Sequence, residues 1–229
     1  MDAIMETVST FIASYGDLFA EGIVDSLVMT GVASFFAYVI GIPLGIILVL
    51  TSPGGLHPNR VISTIVGWIV NIGRSIPFII LLVAIIPFTR LIMGTSLGVK
   101  GAIVPLVVTA APFAARMVEQ SLHEADAGLI EAAQSFGAST WQIVWKVYLK
   151  ETLPSLVRGV AITIVTLFGY VAMAGTVGAG GLGDIAIRYG YQRFKTDVMI
   201  VAVVLCVAII IVIQTLGDVL ARKIDKRSR

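Results

Sequence analysis

Apolar residues occur in five long runs separated by short polar segments. A helix that crosses a hydrocarbon core about 30 Å thick needs about 20 mostly apolar residues, and every run is long enough for one. The runs cover about residues 27–50, 62–87, 97–117, 155–177 and 197–220. Three stretches contain no Asp, Glu, Lys or Arg at all: those between Ser26 and Asn59, between Gly159 and Gly183, and between Val198 and Gly217. The pattern predicts an all-α, polytopic membrane helix bundle with five transmembrane helices.

A helical periodicity precedes the first run. Its apolar positions are Ile4, Val8, Phe11, Ile12, Tyr15 and Phe19. We expect residues 4–20 to form an amphipathic helix that lies on the membrane or packs on the bundle; a frayed tail is the alternative. The segment is acidic and has no basic n-region, so it does not resemble a signal peptide. We divide the chain into an N-terminal amphipathic segment (1–25), a membrane domain (26–220) and a basic tail (221–229).

The amino-acid composition agrees with a protein embedded in lipid, and it argues against nucleic-acid binding and a metal site. Of the 229 residues, 57% are hydrophobic and 13% charged, whereas soluble domains carry about 25% charged residues. Nucleic-acid binding needs a basic face with interleaved aromatic residues, which the sequence lacks. Cys206 is the only cysteine, and it lies among Val and Ile residues. His57 and His123 lie in different polar stretches without ligand-like spacing, so we expect no metal site and no cofactor.

The distribution of Lys and Arg predicts the orientation. With the N-terminus outside, ten basic residues fall in inside segments and five in outside segments. The inside set is Arg60, Arg116, Lys146, Lys150, Arg158, Arg222, Lys223, Lys226, Arg227 and Arg229; the outside set is Arg90, Lys100, Arg188, Arg193 and Lys195. Because cytoplasmic loops carry the excess of basic residues, we expect the N-terminus outside and the C-terminus inside, in agreement with an odd number of spans.

The segment between the third and fourth runs, about residues 124–150, has strong local signals. Glu131 in an early turn of a short helix is favoured by the helix dipole. Gly137 is suited to the left-handed position that ends a helix. Ser139 followed by Gln142 forms a capping box that opens a second helix. Ala132 and Ala133 leave the first helix thin on one side, so a partner protein can approach its backbone.

At these residues the sequence resembles the permeases of ABC importers. Glu131-Ala132-Ala133, then Gly137, then Val147 and Leu149 match the EAA loop of that family. The resemblance implies a type I importer fold whose loop forms a coupling helix that docks on a separate cytoplasmic ATPase, with Glu131, Ala132, Ala133 and Gly137 carrying the docking. The family signature ends in Leu-Pro, but here Lys150 follows Leu149 and Leu153-Pro154 comes four residues later, which leaves the end of the second helix open. The alternative is an ordinary helical hairpin between two spans.

Further blocks resemble methionine-import permeases over about residues 22–220. They are residues 71–82, 86–90, 111–119, 169–175 and 178–183. The resemblance implies a homodimer in the cytoplasmic membrane, two ATPase copies and an extracytoplasmic methionine-binding protein. It also implies ATP-driven import of methionine, in L and D forms.

Two residues within the runs are candidates for the transport pathway. Arg74 lies about twelve residues into the second run, about 18 Å along a helix. An arginine at that depth costs about 2.5–3.5 kcal/mol on insertion scales and usually faces a bundle interior or water. We hypothesise that Arg74 borders the pathway or binds carbonyls freed by Pro77; otherwise it snorkels to an interface. Met173, between small residues, is a candidate gate, with plain packing as the alternative.

Other functions find less support. Gly178, Gly180 and Gly183 fit the dinucleotide fingerprint, but a transmembrane run precedes them instead of a strand, so we expect a flexible or tightly packed loop. No Walker A sequence occurs, and the energy must therefore come from a partner. A permease for other small amino acids would look similar. A membrane-embedded enzyme would need a nucleophile–base pair or clustered acids in the spans, which are missing, and the coupling loop argues against a passive channel.

Overall fold

The computed structural model describes the backbone of residues 2–225 and the side chains of residues 9–225, and this part of the chain contains helices and turns without a strand. The helices are α1 (Asp2–Thr51), α2 (Arg60–Ser75), α3 (Phe78–Ala84), α4 (Ile86–Met93), α5 (Gly98–Leu122), α6 (Ala127–Ser135), α7 (Thr140–Ile143), α8 (Leu149–Glu151), α9 (Leu153–Gly175), α10 (Gly181–Ile185) and α11 (Thr196–Ile224). One π-helical turn, Val144–Tyr148, joins α7 to α8, and another, Ala186–Tyr191, follows α10.

Four of these helices are long and apolar enough to cross a membrane. They are α1 from Ser9 onward, α5, α9 and α11; α2 and α3 together add a fifth if they form one bent span. The all-α membrane architecture is therefore confirmed. The basic tail predicted over 221–229 begins inside α11, and its residues after Asp225 lie outside the described part.

The N-terminal helix and the first span are one continuous helix, α1, not two elements. The junction contains no proline, and its one glycine, Gly22, is buried where a side chain would overlap Ile185. Gly22 therefore serves close packing and does not end the helix. Phe11, Tyr15 and Phe19 pack against the bundle, as one of the two predicted placements requires. The side chains of Ile4 and Val8 lie outside the described part.

The second apolar run, predicted as a span over 62–87, is not one continuous helix: α2 and α3 form a fifth span only as a pair bent by 99°. Helix α2 ends at Ser75, and Ile76 is extended with φ −81° and ψ 122°. A residue before proline is pushed out of the helical region, and Pro77 offers no N–H to continue the ladder. Pro87 lies at the start of α4, where proline is tolerated.

The chain divides into two compact units. Unit 1 contains the residues up to Val32, Phe78–Leu106 and Leu167–Ile210. Its core is formed by Phe19, Phe168, Leu182, Ile185, Val198 and Ala202. The glycine-rich loop is tightly packed in it: the Leu182 N–H donates to Ser26 Oγ at 2.9 Å, and a side chain on Gly183 would overlap the carbonyl of Ala172. This loop follows a membrane helix, as the rejection of the dinucleotide fingerprint requires.

Unit 2 contains Ala33–Pro77, Val107–Thr166 and the residues from Ile211 onward. Small residues bring its helices into close contact, as is common between membrane helices. A Cβ on Gly41 would lie 2.8 Å from Ala114 Cβ, and one on Gly45 would lie 2.7 Å from Val118 Cβ. Helices α1 and α5 therefore touch backbone to backbone. Tyr38 Oη and Thr163 Oγ1 lie 2.9 Å apart and link α1 to α9.

Candidate functional site

The candidate coupling loop begins with a capped helix, α6. Asp126 is its N-cap, and the Asp126 carboxylate accepts from the Gly128 N–H at 2.7 Å. A carboxylate at this position satisfies one of the free N–H groups of the first turn and complements the helix dipole. Glu131 and Ala132 are exposed one turn further on. The N-cap was not identified from the sequence, although an Asp directly before Ala127-Gly128 is a recognisable start signal.

Gly137 ends α6 as the sequence predicts. Its φ is +74°, in the left-handed region that glycine occupies without a Cβ penalty. The Gly137 N–H donates to the Gln134 carbonyl at 2.9 Å, and the Ala138 N–H donates to the Ala133 carbonyl at 3.0 Å. These two bonds are those of a Schellman motif. They fix the direction in which the chain leaves α6.

The predicted capping box that opens α7 is confirmed. Ser139 Oγ accepts from the Gln142 N–H at 3.3 Å, and Gln142 Oε1 accepts from the Ser139 N–H at 2.8 Å. The second helix then continues through the π-helical turn and α8 to Glu151. Thr152 separates it from α9, which begins at Leu153-Pro154. The Leu-Pro pair therefore starts the fourth span.

A buried apolar cluster supports the loop within unit 2. It consists of Val49, Val118, Leu122, Ile143, Val144 and Tyr148, with Leu56, Ile130, Ala133 and Ala138 packed against it. Burial raises the pKa of the Tyr148 phenol, which favours its neutral form. The loop's caps and its apolar underside together make it a rigid element on a packed base.

A long-range hydrogen bond also holds the loop. His57 Nε2 and Thr140 Oγ1 lie 2.6 Å apart, although 83 positions separate the two residues. His57 belongs to the segment between α1 and α2, so this contact ties that segment to the first residue of α7. The sequence indicated only that His57 lies in a polar stretch; no local signal identifies its partner.

The opposite face of the loop is exposed and partly apolar. The exposed fractions are 48% for Leu129, 91% for Phe136, 68% for Trp141 and 52% for Trp145. The rings of Trp141 and Trp145 pack edge to face, 5.5 Å apart. Exposed Phe and Trp side chains are enriched at protein interfaces, and exposed Glu131 and Ala132 belong to the same loop. Ala133 differs from the other predicted docking residues because its side chain faces the buried cluster.

Arg74 lies in the last turn of α2, immediately before the break at Ile76 and Pro77. A cation is favoured there because the helix C-terminus carries partial negative charge. The side chain is exposed, and its guanidinium lies 5.7 Å from the centroid of the Phe113 ring. The structure therefore places Arg74 at a helix end and not in the middle of an uninterrupted span.

Met173 lies near the end of α9 and is 43% exposed. Its carbonyl accepts from Thr176 Oγ1 at 2.7 Å and from the Thr176 N–H at 3.1 Å. Because the residue is exposed, Met173 is not part of the buried core of unit 1. Met173 is in unit 1, and Arg74 and the coupling loop are in unit 2.

Known proteins resemble this chain over nearly its whole length. The family model described as binding-protein-dependent transport system inner membrane component matches residues 41–229. A probable D-methionine transport system permease of Vibrio cholerae is 48% identical over 221 residues, 96% of this chain and 98% of that protein. A methionine import system permease of Bacillus subtilis is 45% identical over 181 residues, 79% of this chain and 82% of that protein.

Solved structures of ABC transporters also resemble this chain. A chain of the methionine ABC transporter MetNI, in an inward-facing conformation, matches with a TM-score of 0.92 at 51% identity and covers 93% of this chain and 99% of its own length. An amino acid ABC transporter crystallised with histidines matches with a TM-score of 0.76 at 15% identity, covering 93% of this chain and 97% of its own, which indicates a shared fold alone.

Proposed function

Because the chain belongs to the family of binding-protein-dependent transport system inner membrane components, we propose that it is the permease subunit of an ATP-driven importer of methionine, in both its L and D forms. The observation that carries the proposal is the 48% identity over 96% of the chain to a D-methionine permease. The 0.92 TM-score to a methionine ABC transporter supports it. Two copies of the chain form the pathway, and an extracytoplasmic methionine-binding protein delivers the substrate.

The energy for transport comes from two copies of a separate ATPase subunit, which bind the coupling loops of the two permease copies. Glu131, Ala132, Ala133 and Gly137 belong to the docking element in this proposal: the first two through their exposed side chains, Ala133 by its small size and Gly137 by fixing the exit of the chain. The Schellman motif, the capping box and the buried cluster support this role, because the coupling loop must be rigid to transmit movement of the ATPase to the membrane helices. ATP then shifts the permease between outward-open and inward-open states, provided that nucleotide binds the two states with different affinity.

In this proposal the N-terminus is outside and the C-terminus inside. The ten-to-five distribution of basic residues supports that orientation. The same orientation makes residues 1–25 extracytoplasmic, 26–220 the membrane domain and 221–229 a cytoplasmic tail. It puts the coupling loop on the side where ATP is available. Arg74 and Met173 then border the pathway, Arg74 beside the break in the second span and Met173 as a gate.

Two exposed alanines of α6 provide a matched test of docking. Ala127 and Ala132 are five residues apart, about 140° around the helix, and both are exposed. Ala132→Leu adds bulk to the proposed docking face and is expected to reduce co-purification of the ATPase about tenfold or more. Ala127→Leu makes the same change on another face and should leave the complex intact. Equal effects of both substitutions, or none from either, would rule out this face.

Reconstitution tests the function as a whole. The permease, its ATPase and the binding protein are placed in liposomes, and uptake of radiolabelled methionine is measured with and without ATP. We expect uptake only with all three proteins and ATP, with competition by unlabelled methionine. Uptake at full rate without the ATPase would refute the importer. Equal competition by polar amino acids would instead favour the second candidate, a permease for other small amino acids.

A further inference from the structure

Three exposed cations lie close to two tyrosine rings in unit 1. The cations and one of the tyrosines belong to the segment between α10 and α11, and the other tyrosine belongs to α1. Lys195 Nζ donates to Tyr15 Oη at 2.5 Å and lies 5.3 Å from the centroid of the Tyr15 ring. The guanidinium carbons of Arg193 and Arg188 lie 4.4 Å and 5.1 Å from the Tyr189 centroid. The two rings pack edge to face, 6.5 Å apart. We name these five residues the cation–tyrosine patch.

The patch holds its charges in place before any ligand arrives. Arg188 is paired with Asp184 at 2.8 Å, whereas Arg193 rests on the face of Tyr189. The bond to Tyr15 raises the pKa of Lys195, as does the nearby charge of Asp197, whereas the charge of Arg193 acts in the opposite direction. The charges of Arg193 and Lys195 therefore repel one another. An anion seated between them relieves that repulsion, and the tyrosine rings have already restricted both side chains.

The position of the patch along α11 sets its depth. The stretch from Val198 to Gly217 is free of charged residues, and its 20 residues span about 30 Å as a helix, the thickness of the hydrocarbon core. Lys195 lies three residues before Val198, about 4–5 Å further along the axis. Headgroups occupy about 5–7 Å on each side of the core. Arg193 and Lys195 therefore lie at the depth of the phosphates.

Exposed aromatic residues flank these cations. Phe194, between them in sequence, is 87% exposed and has a left-handed φ of 57°. Tyr191 is 68% exposed. In water a phenyl ring this exposed gains no free energy from burial of its apolar surface. At the boundary between headgroups and acyl chains the same ring is in a favourable environment, as the aromatic belts of membrane proteins illustrate. A protein partner also favours aromatic residues and arginine, but the depth of the patch favours lipid.

We propose that the cation–tyrosine patch binds the phosphate of an anionic membrane phospholipid. Arg193 and Lys195 make the charged contacts, with the guanidinium donating through its planar fork and the ammonium acting as a point charge. Tyr15 and Tyr189 hold them in place, and Phe194 contacts the upper acyl chain. Because Tyr15 belongs to α1, the bound headgroup reinforces the contact between α1 and the start of α11. The proposal requires only that α11 spans the membrane, and it is independent of the transported substrate.

Lipid titrations of the full-length permease in detergent test the proposal. Retention of phosphatidylglycerol and of phosphatidylcholine is measured by native mass spectrometry for the wild type and for Arg193→Gln/Lys195→Gln. Loss of the two direct ion contacts to the phosphate is expected to weaken phosphatidylglycerol binding by up to about 30-fold, with phosphatidylcholine unaffected. Arg90→Gln/Lys100→Gln removes two other exposed cations of unit 1 and is the matched control; because neither belongs to the patch, binding should stay within about twofold in detergent, where no anionic surface attracts the lipid.

A second pair of variants separates charge from folding. Arg193→Lys/Lys195→Arg keeps both charges and should retain the lipid, whereas Tyr15→Phe removes one hydroxyl and should weaken binding by a few fold. Equal retention of the two lipids by the wild type overturns the proposal, as does an equal loss in both glutamine double variants. Unchanged lipid binding together with lost stimulation of the ATPase by the binding protein would identify a protein-docking surface instead, and the proposal would be wrong.

Discussion

Gly137→Ala perturbs the coupling loop at a point where the cost is almost purely conformational. Gly137 has φ +74°, and a Cβ built on it meets no atom within 4 Å. The new methyl group therefore causes no clash. What changes is the backbone energy, because an L-residue with a Cβ is disfavoured in the left-handed region.

The magnitude follows from that single term. A left-handed conformation costs a residue with a Cβ about 1–2 kcal/mol. Opening of the Schellman turn should thus become about 5–30 times more frequent. Gly137→Asn is the matched control, since asparagine tolerates this conformation better than other residues with a Cβ; its effect should stay below about threefold. Gly31→Ala, in the interior of α1 with open space around it, controls for the entropy of the unfolded chain and should stabilise by about 0.5–1 kcal/mol.

Hydrogen exchange and uptake measure the two consequences. The amides of Gly137 and Ala138 donate the two bonds of the turn, so peptides over 134–140 report its opening. We expect faster exchange in Gly137→Ala together with less methionine imported per ATP hydrolysed.

Two results would refute this reasoning. Wild-type protection in the alanine variant would show that the turn stores no such strain. Equal losses in the alanine and asparagine variants would show that the absence of any side chain matters at Gly137, and not its backbone conformation.

Four further outcomes are expected. If Arg74 borders the pathway as proposed, Arg74→Gln should lower ATP-dependent uptake about tenfold or more without dissociating the complex, because intramembrane cations are usually functional; unchanged uptake would contradict that role. If Met173 is a gate as proposed, Met173→Ala should raise methionine leak or uncoupled ATPase activity, because the side chain would no longer close the pathway; normal values of both would exclude a gate. Gly183→Ala forces a methyl group into a backbone carbonyl and should destabilise by about 1–3 kcal/mol, seen as a lower Tm, whereas Gly169→Ala meets open space in the interior of α9 and should raise the Tm slightly, as expected for Gly31→Ala. Lys195 has a pKa raised above its ordinary value of 10.5, so its charged form is present below that value and is lost only as the pH rises through the folded pKa; phosphatidylglycerol binding should be flat from pH 6 to 9, and a fall within that range would contradict the assignment.

The parts of the coupling loop that sequence predicts are those governed by neighbouring residues. Gly137 as a helix stop and Ser139 with Gln142 as a capping box both depend on bonds that reach no more than a few positions. Asp126 follows the same local rules, since an Asp directly before Ala127-Gly128 is a recognisable helix start. The bond between His57 and Thr140 depends on how distant segments pack, and no pattern in the sequence specifies it.

The membrane helices show the same division. The lengths of the apolar runs predict where the membrane spans lie, because insertion of a segment into the membrane depends on its hydrophobic composition. Composition is similar before and after Pro77, so it did not reveal whether the helix continues through the proline, as it does at Pro43, or breaks. The continuity of α1 through Gly22 likewise depends on Ile185, which lies far away in the sequence. Exposure of Met173 depends on its neighbours in space and was equally unpredictable.

The glycines of α1 at the seam with α5 have a mechanical consequence. With Gly41 and Gly45 seated against Ala114 and Val118 at near-contact distance, neither helix has room to slide or roll against the other. We therefore expect the two helices to move as one rigid body beside this seam during transport. Reporter probes fixed to both helices beside this seam would keep a constant separation whichever side of the membrane the pathway faces.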